Sequence, residues 1–195
     1  MDDVRRIQDP MELRALAHPL RMQLLAALRR YGPATATQLA KRFDETSGAT
    51  SYHLRQLARH GFVEEDTERG RGRERWWRSV HRGTAWRQTD FEGDPTGREA
   101  AEWLLRNQAR LFADRTAAWV ARQADADKAW RDAGELSDYQ LRLSPAALTA
   151  LTDELHAVVR RHRDAADAAD RASDAAQVFL GLAAIPLPPD PLEDR

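Results

Sequence analysis

The stretch "SGATSYHLRQLARHGFVEEDTERGRGRERWWR", residues 47–78, joins a polar helix to an arginine-rich turn. On a helical wheel of residues 48–60, one narrow arc collects the apolar and small side chains at helical spacing: Thr50, Leu54, Leu57 and Ala58. The opposite arc is polar. The pattern therefore predicts a helix that is held by a thin buried stripe and presents a polar face outward.

The segments before this helix complete a helix-turn-helix pattern. Residues 11–30 predict two helices that separate at Pro19, because proline lacks an amide hydrogen but is tolerated in a first helical turn. Residues 35–43 predict a short helix, and residues 44–48 a turn. Ser47 is the expected N-cap of the next helix, and Gly61 suits the left-handed position at its end.

The segments after this helix predict a β-hairpin, the wing. Phe62 and Val63 open one strand, and "RWWRSV" at residues 75–80 forms the return strand around a turn with two glycines. Trp76 and Trp77 are adjacent on a strand, so they point to opposite faces and one of them is expected in the core.

The polar helix face and the wing carry residue types that contact DNA. Arginine and glutamine make bidentate contacts with guanine and adenine edges in the major groove. An arginine-rich turn can reach phosphates or a neighbouring minor groove. A plain solvated surface is the alternative for a polar helix on its own, and the adjacent basic hairpin disfavours it. The candidate DNA-binding residues are Ser47, Ser51, Tyr52, His53, Arg55, Gln56, Arg59, Arg69, Arg71, Arg73 and Arg75.

The charge distribution supports the same assignment. Residues 1–82 carry a net charge of +5 and residues 83–195 a net charge of -6, which together give the overall -1. A basic part joined to an acidic part indicates a polyanionic partner for the first and another role for the second.

The runs "LRALAHPLRMQLL" and "TSYHLRQLARHGFV" resemble the winged helix-turn-helix of ArsR-like transcriptional regulators, over about residues 10–82. In that family a Ser-x-His-Leu segment opens the base-reading face, and it matches Ser51 to Leu54 here. The resemblance implies a homodimer on a pseudo-palindromic site, often a repressor released by a signal. The family's metal sensing does not carry over, because residues 35–43 hold no Cys or His and residues 97–131 no His. No metal and no cofactor are expected.

The remainder predicts a polar linker at residues 83–95 and a second module at residues 96–195. Its long helix starts at a Thr96/Glu99 capping box and reaches about residue 131. A half-buried strand is expected at 138–143, another helix from Ser144-Pro145, and a strand at 177–184. A stripe near the coiled-coil interval predicts a dimer interface, formed by Leu104, Leu111, Phe112 and Trp119. Tryptophans of this half are candidates for an apolar effector pocket, namely Trp103, Trp119 and Trp130; core packing is the competing interpretation.

The fold class expected is mainly α (α+β), with an N-terminal winged helix-turn-helix at residues 1–82 and a C-terminal helical or small α/β dimerisation module. The expected function is a dimeric DNA-binding transcriptional regulator, a repressor with a small apolar or aromatic effector. The alternative is a winged helix used only for protein–protein contact. Paired carboxylates in an apolar setting, phosphate loops and nucleophile motifs are absent, so no enzyme is expected. Without cysteine, a signal-peptide core or an 18-residue apolar run, a cytoplasmic protein with no membrane partner is expected.

Overall fold

The computed structural model describes residues 4–69, 74–168 and 175–188. The chain divides into two compact units, residues 1–111 and 112–195. Helices and short strands of the first unit follow the order β1 (Val4–Arg6), α1 (Pro10–Leu16), α2 (Pro19–Tyr31), β2 (Ala34–Thr35), α3 (Ala36–Phe43), α4 (Ser47–Arg59), β3 (Val63–Glu65), β4 (Trp76–Ser79) and β5 (Gly83–Ala85). The helix α5 (Pro95–Arg122) begins in the first unit and continues into the second.

Both expected helices at residues 11–30 are present, and their boundaries have local causes. The Asp9 carboxylate accepts a hydrogen bond from the Met11 amide (2.9 Å) and so caps α1, while Pro10 and Pro19 open the two helices. Gly32, at φ 83°, ends α2 in a conformation that disfavours other residues. The inward faces supply the core, with Leu13, Leu24 and Leu28 each at most 2% exposed.

The wing is an antiparallel sheet whose strands lie in the order β2-β4-β3. Thr35 pairs with Trp76, and Val63 pairs with Ser79. The two tryptophans alternate as expected, since Trp77 is buried (4% exposed) and Trp76 is only partly covered. The expected hairpin is therefore present in β3 and β4, whereas its tip at residues 70–73 lies outside the described residues.

The expected linker at residues 83–95 is wrong. Strand β5 lies there and pairs in parallel with β1, an element that the sequence analysis did not identify, with Val4 opposite Gly83. Phe91 follows in a 3₁₀ turn and is fully buried with Ile7 in the core. The first unit therefore extends past the expected boundary at residue 82, because an apolar residue in a polar segment fills its core.

The start of α5 also differs from expectation. Asp94, rather than Thr96, is the capping residue, since its carboxylate accepts a hydrogen bond from the Gly97 amide (2.7 Å). The helix ends at Arg122, earlier than expected, and a 3₁₀ turn separates it from α6 (Lys128–Ala133). The carboxylate one residue before Pro95 accepts from one of the free amides of the first turn and occupies the capping position that Thr96 was expected to fill.

In the second unit, α7 (Pro145–Ala168) confirms the expected helix after Ser144. The two expected strands are wrong, because residues 138–143 and 177–184 adopt no regular secondary structure. Tyr139 and Leu141 are 83% and 64% exposed, and an isolated short strand without a partner is unstable. The later segment instead packs through Phe179, whose ring meets that of Phe112 edge to face at 5.4 Å.

Candidate nucleic-acid interface

The turn between α3 and α4 has the geometry of a helix-turn-helix. Thr35 and Gln38 form a reciprocal capping box at the start of α3. Asp44 then takes a left-handed conformation (φ 55°), which allows the chain to reverse. The Thr46 hydroxyl accepts a hydrogen bond from the Ala49 amide (3.2 Å) and caps α4. Ser47 was expected as this cap, but it is the first helical residue, because Thr46 already occupies the capping position.

Helix α4 has the expected division into a buried stripe and a polar face. Thr50, Leu54 and Leu57 are completely buried, and they fix the helix against α2 and α3. The opposite side carries Tyr52, Arg55 and Arg59 as exposed residues, with Ser51 and Gln56 partly exposed. A helix held in this way can enter a major groove with its polar face free.

One candidate base-reading residue, His53, is turned toward the protein. Its ring lies 4.3 Å from that of His18, measured between centroids, with the ring planes 36° apart. Its Nδ1 is buried and has no hydrogen-bond partner among the described residues. Burial, with a smaller effect of His18 and Arg21, lowers the pKa of His53. His53, which is half-buried, thus joins α4 to the turn between α1 and α2, and a base contact by its ring stays a prediction.

His18 and Arg21 were missed by the sequence analysis as part of this region. His18 stands directly before Pro19, and Arg21 lies in the first turn of α2, with an Nε that is buried and without a described partner. Helical periodicity gives the inward side of each helix but not which residues of two distant helices meet. The only available signal was the His18-Pro19 sequence at a helix start.

The far end of α4 is held by the N-terminal strand. The Arg5 guanidinium donates to the His60 carbonyl, pairs with the Glu12 carboxylate (2.6 Å) and lies 4.9 Å above the Phe62 ring. Gly61, at φ 70°, takes the expected left-handed position and leaves room for this guanidinium. A cationic group at the carbonyl end of a helix is stabilising. Through Arg5, β1 therefore holds the end of α4 in place.

The wing arginines near the strands are paired with carboxylates. Arg75 lies 3.2 Å from Glu65, and Arg69 lies 3.4 Å from Asp66. Arg78, which was not a candidate, pairs with Glu64 at 2.7 Å. These neighbours reduce the positive potential at the base of the wing. Arg71 and Arg73 lie outside the described residues.

The expected dimer stripe is divided by the packing of the chain itself. Leu104 is 1% exposed and belongs to the core of the first unit, so its assignment to a dimer interface is corrected. Phe112 contacts Phe179 of its own chain. Leu111 and Trp119 remain partly exposed.

The three candidate pocket tryptophans are distributed over both units. Trp103 is partly buried against the core of the first unit. Trp119 belongs to the second unit, where a Cβ on Gly134 would lie 2.9 Å from its Cζ2 and 3.1 Å from the Trp130 carbonyl oxygen. Arg122 lies over the Trp119 ring at 5.5 Å. Trp119 is therefore packed within its own unit, and an effector pocket stays a prediction.

Across residues 4–69, 74–168 and 175–188, no group of three or more His, Asp or Glu side chains could hold a metal ion. In the same part of the chain, no helix combines the length and apolar character needed to cross a bilayer.

Comparison with known proteins confirms the helix-turn-helix. Residues 16–66 match a family described as a helix-turn-helix domain. The matched residues include α2, β2, α3, α4 and β3. No curated protein matches the chain.

Two of the solved structures that match this chain cover about half of it. One is the homodimeric winged helix-turn-helix DNA-binding domain of a Mycobacterium bovis protein described as a possible ArsR-family transcriptional regulator (22% identity, 55% of this chain and 79% of that chain, TM-score 0.34). The other is a crystal structure of an ArsR family transcriptional regulator (28% identity, 54% and 91%, TM-score 0.32).

Proposed function

We propose that this chain, which carries a helix-turn-helix domain at residues 16–66, binds double-stranded DNA in a sequence-specific manner and regulates transcription. The observation that carries the proposal is the construction of α4. Its three fully buried residues fix it on α2 and α3, while its arginines and glutamine stay on the accessible side. Arg55, Gln56 and Arg59 supply the donors and acceptors that distinguish base pairs in the major groove.

The wing adds contacts with the sugar-phosphate backbone. Phosphate contacts supply most of the salt-dependent affinity and set the register of the protein on the duplex. Because Arg69 and Arg75 are paired with carboxylates in the free protein, they must exchange these partners for phosphates on binding. Arg71 and Arg73, which lie between β3 and β4 in the sequence, are proposed as further phosphate or minor-groove contacts.

The protein–protein alternative is less well supported. Interfaces between proteins concentrate aromatic and apolar residues at their centre and are depleted of charge there. On the outward face of α4, the aromatic residue is Tyr52, 51% exposed, and its neighbours are charged or polar. Such a face fits a polyanion better than an apolar partner.

We further propose a homodimer that reads a pseudo-palindromic operator and acts as a repressor. The second unit leaves apolar side chains of α7 uncovered, with Leu155, Val158 and Val159 37–41% exposed at helical spacing. We propose that these side chains and the half-buried Trp119 of the same unit are covered by a second copy of the chain. A small apolar or aromatic effector at the tryptophans of the second unit would then alter the spacing of the two α4 helices.

The decisive experiment is selection of bound duplex from a random pool by the full chain. An inverted repeat with half-sites about 10 base pairs apart, centre to centre, would establish specific binding and two-fold symmetry together. A salt-dependent gel shift with random duplex separates the alternatives. If no duplex is selected and no duplex is retarded at low salt, the protein–protein function is the one that remains.

A further inference from the structure

Three aromatic rings connect the recognition helix α4 to the turn between α1 and α2. The His53 ring lies 4.3 Å from the His18 ring, and Tyr52 meets His53 edge-on at 5.2 Å. His18 precedes α2, whereas Tyr52 belongs to the exposed face of α4. The imidazole pair is thus a direct contact between the scaffold of the domain and the surface proposed to read DNA.

The surroundings of this pair suit neutral imidazoles. The Nδ1 atoms of His18 and His53 are both buried and have no hydrogen-bond partner among the described residues, and the same is true of Nε of Arg21. The charged groups that act on the cluster are Arg21 on α2, Arg14 on α1 and Glu45 in the turn before α4. Tyr52 is the remaining titratable neighbour. Cations therefore outnumber the single carboxylate.

Burial and these charges act in the same direction. Burial lowers the pKa of both imidazoles, and Arg21 lowers the pKa of each further. The carboxylate of Glu45 opposes the shift but is the weakest of the contributions. An imidazolium at either position would need a hydrogen-bond acceptor at its buried Nδ1 and would lie close to a guanidinium. If the rings separate and water enters, water can accept this hydrogen bond and screen the guanidinium charge.

We infer that His18 is a positioning residue for the recognition helix, and that protonation of the His18–His53 pair releases α4 from its DNA-reading position. This inference rests on the proposed function. Thr50, Leu54 and Leu57 keep α4 attached to the core when the rings separate, so the expected change is a shift of the helix rather than its unfolding.

The direction of the pH effect distinguishes this mechanism from simple charge attraction. The released state binds protons more readily than the locked state, so the locked state is favoured at high pH and is lost as pH falls below about 6.5, the ordinary pKa of histidine. Specific binding is therefore weakened by acid. Added positive charge alone would have the opposite effect and strengthen binding to a polyanion.

The test uses the full chain and the duplex recovered by selection, at constant ionic strength and at pH 7.5 and 5.5. We expect operator affinity to fall between these two pH values by up to about tenfold for each histidine that must stay neutral, because pH 5.5 is one unit below the ordinary histidine pKa, while affinity for random duplex does not fall. His18→Phe retains an aromatic contact but removes one of the two imidazoles, so it should lose the part of the acid effect that His18 contributes. His156→Gln, at an exposed histidine of α7, is the matched control and should keep it.

A second measurement does not need DNA. In the free protein, NMR titration should show both imidazoles gaining protons below pH 6.5, with amide shifts along α4 following the same curve. The inference is overturned if acid strengthens operator binding, if His18→Phe keeps the full acid effect, or if the α4 amides do not follow the imidazoles. If no duplex is selected but the amides do follow them, the DNA-binding proposal fails and the proton-driven movement of α4 stands.

Discussion

At the scale of single residues, the side chains of α4 that are proposed to contact DNA differ from those that hold the helix in the core. Arg55 is exposed in the middle of the helix, whereas Leu54 beside it is completely buried. Neighbours on a helix point in directions 100° apart, so one can be replaced without disturbing the packing of the other. Substitutions on the exposed side therefore test recognition with little effect on folding.

Arg55→Ala should cost about 1–3 kcal/mol at one operator position and relax the preference there, because a bidentate base contact is lost. The measurement is affinity for a panel of operators with single base-pair changes. Lys41→Ala, on the exposed side of α3, removes one positive charge outside the recognition helix and is the control. An unchanged panel for the Arg55 variant would show that this side chain reads no base.

Glu65→Gln should strengthen binding to random duplex, because it removes a carboxylate that holds Arg75 at 3.2 Å. Exposed ion pairs contribute about 0.2–1 kcal/mol, which corresponds to a gain of about 1.4- to fivefold. Glu68→Gln removes the same charge from the same hairpin and controls for net charge. Equal gains in the two variants would mean that release of Arg75 contributes nothing.

At the scale of elements, the junction before α5 depends on a glycine. A Cβ on Gly97 would lie 2.8 Å from Cδ1 and 3.1 Å from Cβ of Phe91, and 3.1 Å from Cβ of Pro10. The backbone-near atoms cannot move without shifting α1 or the 3₁₀ turn. This close approach is what allows Phe91 to fill the core.

Overpacking in Gly97→Ala should cost about 1–3 kcal/mol, and the better helix propensity of alanine should offset about 1 kcal/mol of it, so we expect a net loss of stability of up to about 2 kcal/mol. Denaturant unfolding measures the loss. Gly93→Ala introduces the same methyl group four residues earlier, where nothing lies within 4 Å, and should change stability little. A Gly97 variant as stable as wild type would mean that α5 moves away from Phe91 at no cost.

Local patterns predicted some elements and not others. The α4 stripe was predictable because Thr50, Leu54 and Leu57 repeat with the period of one helix. The β1–β5 pairing was not, because three polar or small residues such as Gly83, Thr84 and Ala85 carry no alternation. The alternation of Tyr139, Leu141 and Leu143 was misleading, since a strand also needs a partner. Likewise, the contact between His18 and His53 depends on how two helices pack.

At the scale of the whole molecule, α5 contributes to both units. Its first half supplies Leu104 to the core of the DNA-binding unit, and its second half supplies Phe112 and Trp119 to the second unit. Helix α5 is therefore shared by the unit that carries α4 and by the second unit, with the division at Leu111.

Leu111→Glu should give a monomer, because it places an unpaired carboxylate in an apolar surface that a second copy would cover. Specific DNA binding should be lost while every DNA-facing residue is retained. Light scattering gives the mass, and a gel shift gives the affinity. Arg110→Glu, at the exposed neighbouring position, introduces the same side chain as a control. If the Leu111 variant stays dimeric and binds normally, the dimer lies elsewhere, and Leu155→Glu on α7 is then the informative variant.

The parallel pairing of β1 with β5 has a consequence for the order of events during synthesis. Val4 lies opposite Gly83, so β1 has no partner strand until nearly eighty more residues have been made. Closing so long a loop costs entropy before the strand pair forms, and contacts between residues far apart in the sequence form slowly. Helices α1 to α4 can assemble earlier from local contacts. We therefore expect Arg5 to reach the end of α4 later than α1 to α4 reach one another, after β5 (Gly83–Ala85) has been made.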